Sequence, residues 1–187
     1  TILTIENLNK IYGKKVHAVN NLSFEIHKGN VYGILGPNGS GKSTLARVLS
    51  EKYGIAHLDL DSVVWEADKI AVMRPSEAIE ADLAKFVIEN ESWVVEGCYG
   101  ELIESMLRHQ PKLLFLNQSL NVCVENNRQR PWEPHKYESK EAQDRMLENL
   151  LEWVRGYYQR KDDWSLQAHE RLFESYDGPK LEFKNRV

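Results

Sequence analysis

The chain lacks most of what would place it in a specialised class. Among its 187 residues there are only two cysteines, Cys98 and Cys123. That is too few for a disulfide framework, so a reducing, cytoplasmic setting is the expectation. Long apolar runs are missing too. Leu113–Leu116 is the longest purely aliphatic or aromatic stretch, far short of a membrane span. No basic segment followed by an apolar one opens the chain, so no signal peptide is expected. Neither sign of charge dominates: 24 Lys and Arg face 28 Asp and Glu, a net charge of −4. This excludes a generally basic nucleic-acid binder, and neither a nucleic-acid nor a membrane partner is expected. There is no internal repeat, low-complexity tract or long linker. What remains is ordinary for a globular protein, with 42% hydrophobic and 28% charged residues. The length suits one domain over residues 1–187 with a sizeable core.

Residues 1–30 read as β. Thr1 to Leu8 alternates apolar and polar residues, and so does Val16 to Ile26, with a turn expected at Lys10–Lys15. From Val31 the pattern changes. Val31–Leu35 is a short apolar run of the kind buried on both faces of a parallel sheet. Further strands are expected at Ile55–Leu60, Trp93–Gly97, Lys112–Leu116 and Leu181–Lys184. Helical spacing of apolar residues follows the glycine-rich segment at Leu45, Val48 and Leu49. It recurs after Ser76, a predicted N-cap, over Glu101–His109, over residues 119–129, and over Glu138–Gln159 and 163–176. Strands alternating with helices imply an α/β fold with a parallel sheet, to which residues 1–30 add an antiparallel β extension.

The chemistry sits between the Val31–Leu35 strand and the helix after it. Gly36-Pro37-Asn38-Gly39-Ser40-Gly41-Lys42-Ser43 fits G-x-x-x-x-G-K-[ST]. Its glycines let backbone N–H groups converge on phosphate oxygens, and the following helix points its positive end at the same place. Lys42 can reach the β- and γ-phosphates, and the Ser43 hydroxyl can ligate Mg²⁺. The segment from Asn38 to Thr44 is therefore the expected phosphate site, with ATP and Mg²⁺ as the expected ligands.

Two resemblances meet at this loop. Leu3 to Leu45, with Ile5-Glu6-Asn7-Leu8, Tyr12-Gly13 and Gly36 to Thr44, resembles the start of an ABC transporter ATP-binding subunit. The resemblance implies that Tyr12 stacks on adenine. It covers about a quarter of the chain, and no LSGGQ-like signature, hydrophobic run ending in Asp-Glu, or switch histidine follows. From about Tyr32 onward the chain resembles instead the small P-loop kinases. The group is that of adenylate-kinase-like proteins named for DNA topology modulation, with shikimate kinase further off. The residues that carry this are Gly39 to Leu45, His57 to Asp61, Trp93 to Gly97, Leu113 to Leu116 and Arg128-Gln129-Arg130. Together they suggest a hybrid, an ABC-type front (1–30) and a kinase-type body (31–187) recombined at the shared P-loop, either by engineering or by natural fusion. The fold implied is a three-layer P-loop NTPase, and analogy with nucleotide kinases gives its parallel core the order 2-3-1-4-5.

The kinase resemblance assigns further residues. Asp59 and Asp61 are expected on one face of a strand end, where ligands of α/β sheets bind. By analogy Asp59 helps organise Mg²⁺ and Asp61 holds or deprotonates the acceptor hydroxyl. Glu96 ends another strand and could orient a Mg²⁺-bound water. Arg128 and Arg130 occupy the place of mobile lid arginines that neutralise the transferring phosphoryl group. Arg74 is a weaker candidate for an anionic acceptor. Cys98 and Cys123 read as packing residues, and His135 and His169 show no partner in sequence.

Three functions stay open. One is Mg²⁺–ATP-dependent phosphoryl transfer to a small, unidentified acceptor by a monomer or dimer. Another is ATP binding with little turnover, a reading helped by a chain that stops soon after the last strand. The third is an ABC-type ATPase module, against which the missing signature counts.

All three require Lys42. Saturating Mg²⁺–ATP, at about a hundred times its dissociation constant, should stabilise the fold by about 2.7 kcal/mol. For a chain this size that is roughly 5–10 °C in melting temperature. Lys42→Ala should abolish most of that shift in a thermal melt while the unliganded protein still melts cooperatively. A full shift in the variant would remove Lys42 from the site.

Overall fold

The computed structural model of the protein describes residues 2–12, 16–27, 30–67, 71–134 and 136–184, without the side chains of residues 2, 3, 12 and 16–18. Two long strands come first, β1 (Ile2–Tyr12) and β2 (Val16–His27), paired antiparallel with Ile2 opposite His27 and Tyr12 opposite Val16. β1 thus runs through part of the expected turn.

The second sheet has five strands: β3 (Val31–Leu35), β4 (Ala56–Asp59), β5 (Trp93–Gly97), β6 (Lys112–Leu116) and β7 (Lys180–Phe183). Every pairing in it is parallel and the spatial order is β4-β5-β3-β6-β7. Numbered from β3, that is 2-3-1-4-5, as the resemblance to nucleotide kinases implies. The N-terminal pair does not prolong this sheet edge to edge; it forms a sheet of its own. Its buried residues explain why. Ile5, Val19, Leu22, Phe24 and Ile26 alternate with exposed neighbours, so one face must be covered. That face lies over Tyr32, Ile34, Val94, Leu114 and Leu116 of the parallel sheet and Leu45, Ala46 and Leu49 of α1 (Lys42–Tyr53). Phe24 meets Tyr32 edge-on at 6.4 Å and Phe183 at 6.2 Å.

Alternation within the parallel strands sends the other residues to the opposite face. Leu35, Trp93, Val95, Leu113 and Phe115 pack there against α3 (Ser76–Glu89), α4 (Gly100–Met106) and α7 (Leu166–Ser175), through Leu83, Ile103, Met106 and Leu172. The result is three layers. Ser76 begins α3 itself; Pro75 occupies the cap position and no side chain caps the helix. The remaining helices are the short α2 (Asp61–Val64), α5 (Leu120–Arg128) and α6 (Lys140–Tyr157), the last capped by Ser139, whose side chain accepts from the Ala142 N–H. Among the described residues, no helix is long and apolar enough to cross a membrane.

His169 acquires its partners only in the fold. It is fully buried, with Nε2 2.9 Å from the Cys98 carbonyl and Nδ1 2.9 Å from the Tyr157 hydroxyl. A carbonyl can only accept, so Nε2–H donates to it and Nδ1 accepts from Tyr157. Burial holds the imidazole neutral and takes its pKa from 6.5 down to about 4. The unfolded chain therefore takes up a proton in this range and the native state does not. Stability from this group is intact above pH 6.5 and is lost as the pH falls toward 4, by about 3 kcal/mol at the lower limit. Urea unfolding across that window should show the loss, and in His169→Gln the slope should flatten, although the variant starts less stable at pH 7. An unchanged slope would place the acid sensitivity elsewhere.

Candidate functional site

The carboxyl ends of β3 and β4 open into one cleft of about 550 Å³. Its floor is the loop between β3 and α1. Gly39 and Gly41 have φ of 87° and 93°, left-handed values that suit glycine. Gly39 is also tightly enclosed. A Cβ there would stand 2.4 Å from the Cys123 carbonyl oxygen and 2.5 Å from Asn127 Nδ2. α5 therefore lies directly on the loop and braces it. Asn126 donates to the Gly39 carbonyl at 2.8 Å, and Asn127 donates to the carbonyls of Asn38 at 3.1 Å and Cys123 at 2.8 Å. Neither asparagine figured in the sequence reading. Only the contact between α5 and the loop reveals them.

Gly41 caps α1 without a side-chain hydrogen bond, which leaves the helix dipole directed into the cleft. Among the described residues the buried Ser40 hydroxyl has no hydrogen-bond partner. Lys42 lies along the loop with Nζ 3.4 Å from Asn38 Oδ1. Left-handed glycines, an open helix N-terminus, an orphaned hydroxyl and a cleft-lining lysine fit a polyphosphate. Asn38, Gly39, Gly41, Lys42, Ser43 and Thr44 line the cleft, and Ser40 is buried beneath them.

Asp59 and Asp61 line the same cleft, but not as alternate residues of one strand. β4 ends at Asp59 and Asp61 begins α2. The reason is local. The Asp59 carboxylate accepts the Asp61 N–H at 2.9 Å, and this side-chain-to-backbone bond turns the chain out of the sheet. Asp61 accepts from the Tyr99 hydroxyl at 2.6 Å, and Tyr99 accepts from the Trp65 indole at 2.9 Å. Lys136 Nζ stands 3.5 Å from Asp61, 4.0 Å from Asp59 and 3.9 Å from Glu133.

These contacts split the two carboxyls. Burial raises the Asp59 pKa, and the neighbouring charges of Glu96 and Asp61 add to it against Lys136 and the Asp61 N–H. Burial acts the same way on Asp61, but the Tyr99 hydroxyl, Lys136 and Lys42 outweigh it and leave that pKa lowered. Tyr99 is pushed far up by burial and by Asp61, so it stays a donor. Burial opposes the charge on Lys136, yet Asp61, Asp59 and Glu133 prevail and raise its pKa.

Glu96 is buried at the end of β5 and is not among the cleft-lining residues. Its Oε1 lies 3.5 Å from Nε2 of His57, which does line the cleft, and among the described residues neither atom has a hydrogen-bond partner. Arg130 reaches the cleft, with Nη1 3.1 Å from Glu133 Oε2. Arg128, the last residue of α5, is exposed and does not line it. Arg74 is spent on structure, donating to the Val63 carbonyl at 2.8 Å and to Asp82 at 2.7 Å. The Tyr12 side chain and His135 lie outside what the structure describes. Among the described residues no three His, Cys, Asp or Glu are grouped to hold a metal. Mg²⁺ at a P-loop does not need such a cage, because water and phosphate supply most of its ligands.

A parallel sheet of this order, with a glycine-rich loop between its central strand and an uncapped helix, defines a P-loop NTPase fold. The ABC transporter family model matches residues 19–171. The chain belongs to that family, whose P-loop is its ATP-binding element. Similar curated proteins include the lantibiotic transport ATP-binding protein SrtF of Streptococcus pyogenes, 42% identical over 65 residues, which are 35% of this chain and 27% of that one. The zinc import ATP-binding protein ZnuC of Wigglesworthia glossinidia brevipalpis is 56% identical over 48 residues, 26% of this chain and 20% of that one. The chain thus spans about a quarter of the length of the curated relatives it matches. Among solved structures, shikimate kinase from Acinetobacter baumannii in complex with shikimate is 17% identical, with 84% of each chain covered and a TM-score of 0.46. A gluconokinase from Sinorhizobium meliloti is 16% identical over 83% of this chain and 82% of that one, with a TM-score of 0.44. The hybrid description fits, with an ABC-type sequence match on a chain whose sheet has the nucleotide-kinase order.

Two glycines separate loop strain from loop contact. Gly54 also has a positive φ, of 66°, but nothing lies within 4 Å of a Cβ placed there. Gly54→Ala should cost about 1 kcal/mol and leave ATP binding intact. Gly39→Ala must also push α5 off the loop, which adds about 1–3 kcal/mol, and it should remove the ATP-induced melting shift. Equal behaviour of the two variants would show that α5 does not brace the phosphate site.

Proposed function

We propose that this chain binds Mg²⁺–ATP in the cleft and transfers the γ-phosphoryl group to a small hydroxyl-bearing acceptor. One observation carries the proposal: the phosphate loop and the Asp59–Asp61 pair face the same 550 Å³ space. Asn38 to Thr44 would hold the phosphates, with Lys42 on the β- and γ-oxygens. Ser43 and Asp59 would hold Mg²⁺, and Glu96 would act on the cleft only through His57. Bound Mg²⁺ would neutralise part of the phosphate charge. The step forms a bond between the acceptor oxygen and Pγ and breaks the bond from Pγ to the bridging oxygen, whose electron pair leaves with ADP. Asp61 accepts the hydroxyl hydrogen bond and then the proton. Its lowered pKa keeps it ionised, and Tyr99 fixes its orientation. Arg130 would face the transferring group, a role that the exposed position of Arg128 does not support. Tyr12 is the proposed adenine contact. The supply of ATP points to the cytoplasm, and recombination at the P-loop accounts for the two resemblances.

The family match favours a second reading, an ABC-type ATPase module that works on dimerisation. Asp61→Asn distinguishes the two. In a screen of small hydroxyl metabolites, the variant should lose acceptor phosphorylation by about 100-fold or more while ATP affinity changes little. If activity is unaffected, or ATP hydrolysis rises with protein concentration and needs no acceptor, the ATPase reading replaces the kinase one.

A further inference from the structure

Residues 131–134 and 136–139 belong to the segment that crosses the cleft between α5 and α6, and these residues are well anchored. Gln143 of α6 accepts from the Glu133 N–H at 2.9 Å and donates to the Pro131 carbonyl at 3.2 Å. The Trp132 indole donates to the Tyr137 carbonyl at 3.1 Å. The N–H groups of Lys136 and Tyr137 both reach the Glu133 carbonyl, at 2.9 and 3.0 Å. This turn presents the Lys136 ammonium to the cleft, with its side chain 31% exposed and ion-paired to residues from two other segments. Its ion-pair partners are all acidic, namely Asp59, Asp61 and Glu133 at 3.5–4.0 Å, with the positive charge of Arg130 also close by, and none holds it in a short hydrogen bond.

We propose that Lys136 is a catalytic residue, a cation that the crossing segment supplies to the transferring phosphoryl group beside Arg130, in the place that the kinase resemblance gives to Arg128. The proposal rests on the kinase reading of the cleft. The physical case is one of charge. Phosphoryl transfer leaves the protein little to do beyond positioning and neutralising the equatorial oxygens. Of the cations on this side of the cleft, Arg130 is tied to Glu133 at 3.1 Å. Lys136 has a flexible four-carbon stem, lines the same cleft as the phosphate loop and stands 3.5 Å from the acceptor carboxylate of Asp61. A divalent ion beside Asp59 would take over the neutralisation that Lys136 gives that carboxylate, and would leave the ammonium to turn to the phosphoryl oxygens.

The test compares binding of Mg²⁺–ADP with binding of Mg²⁺–ADP plus aluminium fluoride, a planar mimic of the group in transit. Wild type should bind the aluminium fluoride complex more tightly than ADP alone. Lys136→Met and Lys136→Gln should weaken the aluminium fluoride complex tenfold or more and change ADP affinity less than about threefold, which also shows that they fold. Lys136→Arg should recover most of the loss. Lys140→Met, an exposed lysine paired with Asp144 on α6, should match wild type. The proposal is overturned if the Lys136 variants bind the mimic normally or lose ADP equally. It is also overturned if Arg128→Met alone shows the loss, or if wild type gains nothing from aluminium fluoride. Acceptor phosphorylation by wild type is measured separately. If it is absent while the Lys136 effect persists, the kinase reading fails and the role of Lys136 on the phosphoryl group stands.

Discussion

The structure depends on burying β3 on both faces. Val31–Leu35 is apolar at nearly every position, and Tyr32, Ile34 and Leu35 have no exposed surface. A strand of this kind needs a partner strand at each edge and a layer against each face. β5 and β6 satisfy its edges. α1 and the N-terminal hairpin cover one face, and α3, α4 and α7 cover the other. The phosphate loop leaves the carboxyl end of this strand, so a strand paired at both edges and buried on both faces positions the site. The ABC-like front then has a structural role whatever its part in nucleotide binding: without β1 and β2, Tyr32 and Phe183 would lose their ring contacts with Phe24.

The cleft is a balance of charges held in limited solvent. Lys42, Arg130 and Lys136 face Asp59, Asp61 and Glu133, and their mutual distances decide which carboxyl gains a proton most easily. Asp59 and Asp61 are two residues apart and differ in direction of pKa shift. Only Asp61 receives the Tyr99 hydroxyl, whereas Asp59 lies nearer to the buried Glu96. Two carboxylates in one site but in unlike surroundings can take unlike roles, one beside a metal and one at a hydroxyl. The crossing segment between α5 and α6 belongs to this balance, since its turn at Glu133 brings both an acid and a base to the cleft.

Much of the fold was legible in sequence because it rests on local pattern. Period-two alternation located the hairpin strands, and short apolar runs located the parallel strands. The G-x-x-x-x-G-K-S spacing located the loop, whereas the order 2-3-1-4-5 comes from the kinase resemblance and not from these patterns. Errors fell where a side chain altered the backbone. The carboxylate of Asp59 ends β4 and starts α2, so alternation placed Asp61 in a strand it does not belong to. Ser76 is of a capping type, yet Pro75 holds the cap position.

The amino-acid sequence by itself determined the phosphate loop and the alternating α/β plan. Each is written in neighbouring residues, where spacing alone fixes geometry. Tertiary structure decided which distant groups meet them. Asn126 and Asn127 brace a loop nearly ninety positions earlier in the chain. Tyr99 and Lys136 act on Asp61 from 38 and 75 residues away. His169 finds Tyr157 and the Cys98 carbonyl only once α6 and α7 are packed. Such pairings depend on where packed layers bring helix ends and loops together. No local periodicity records that, because the energy that sets it comes from burying the whole sheet.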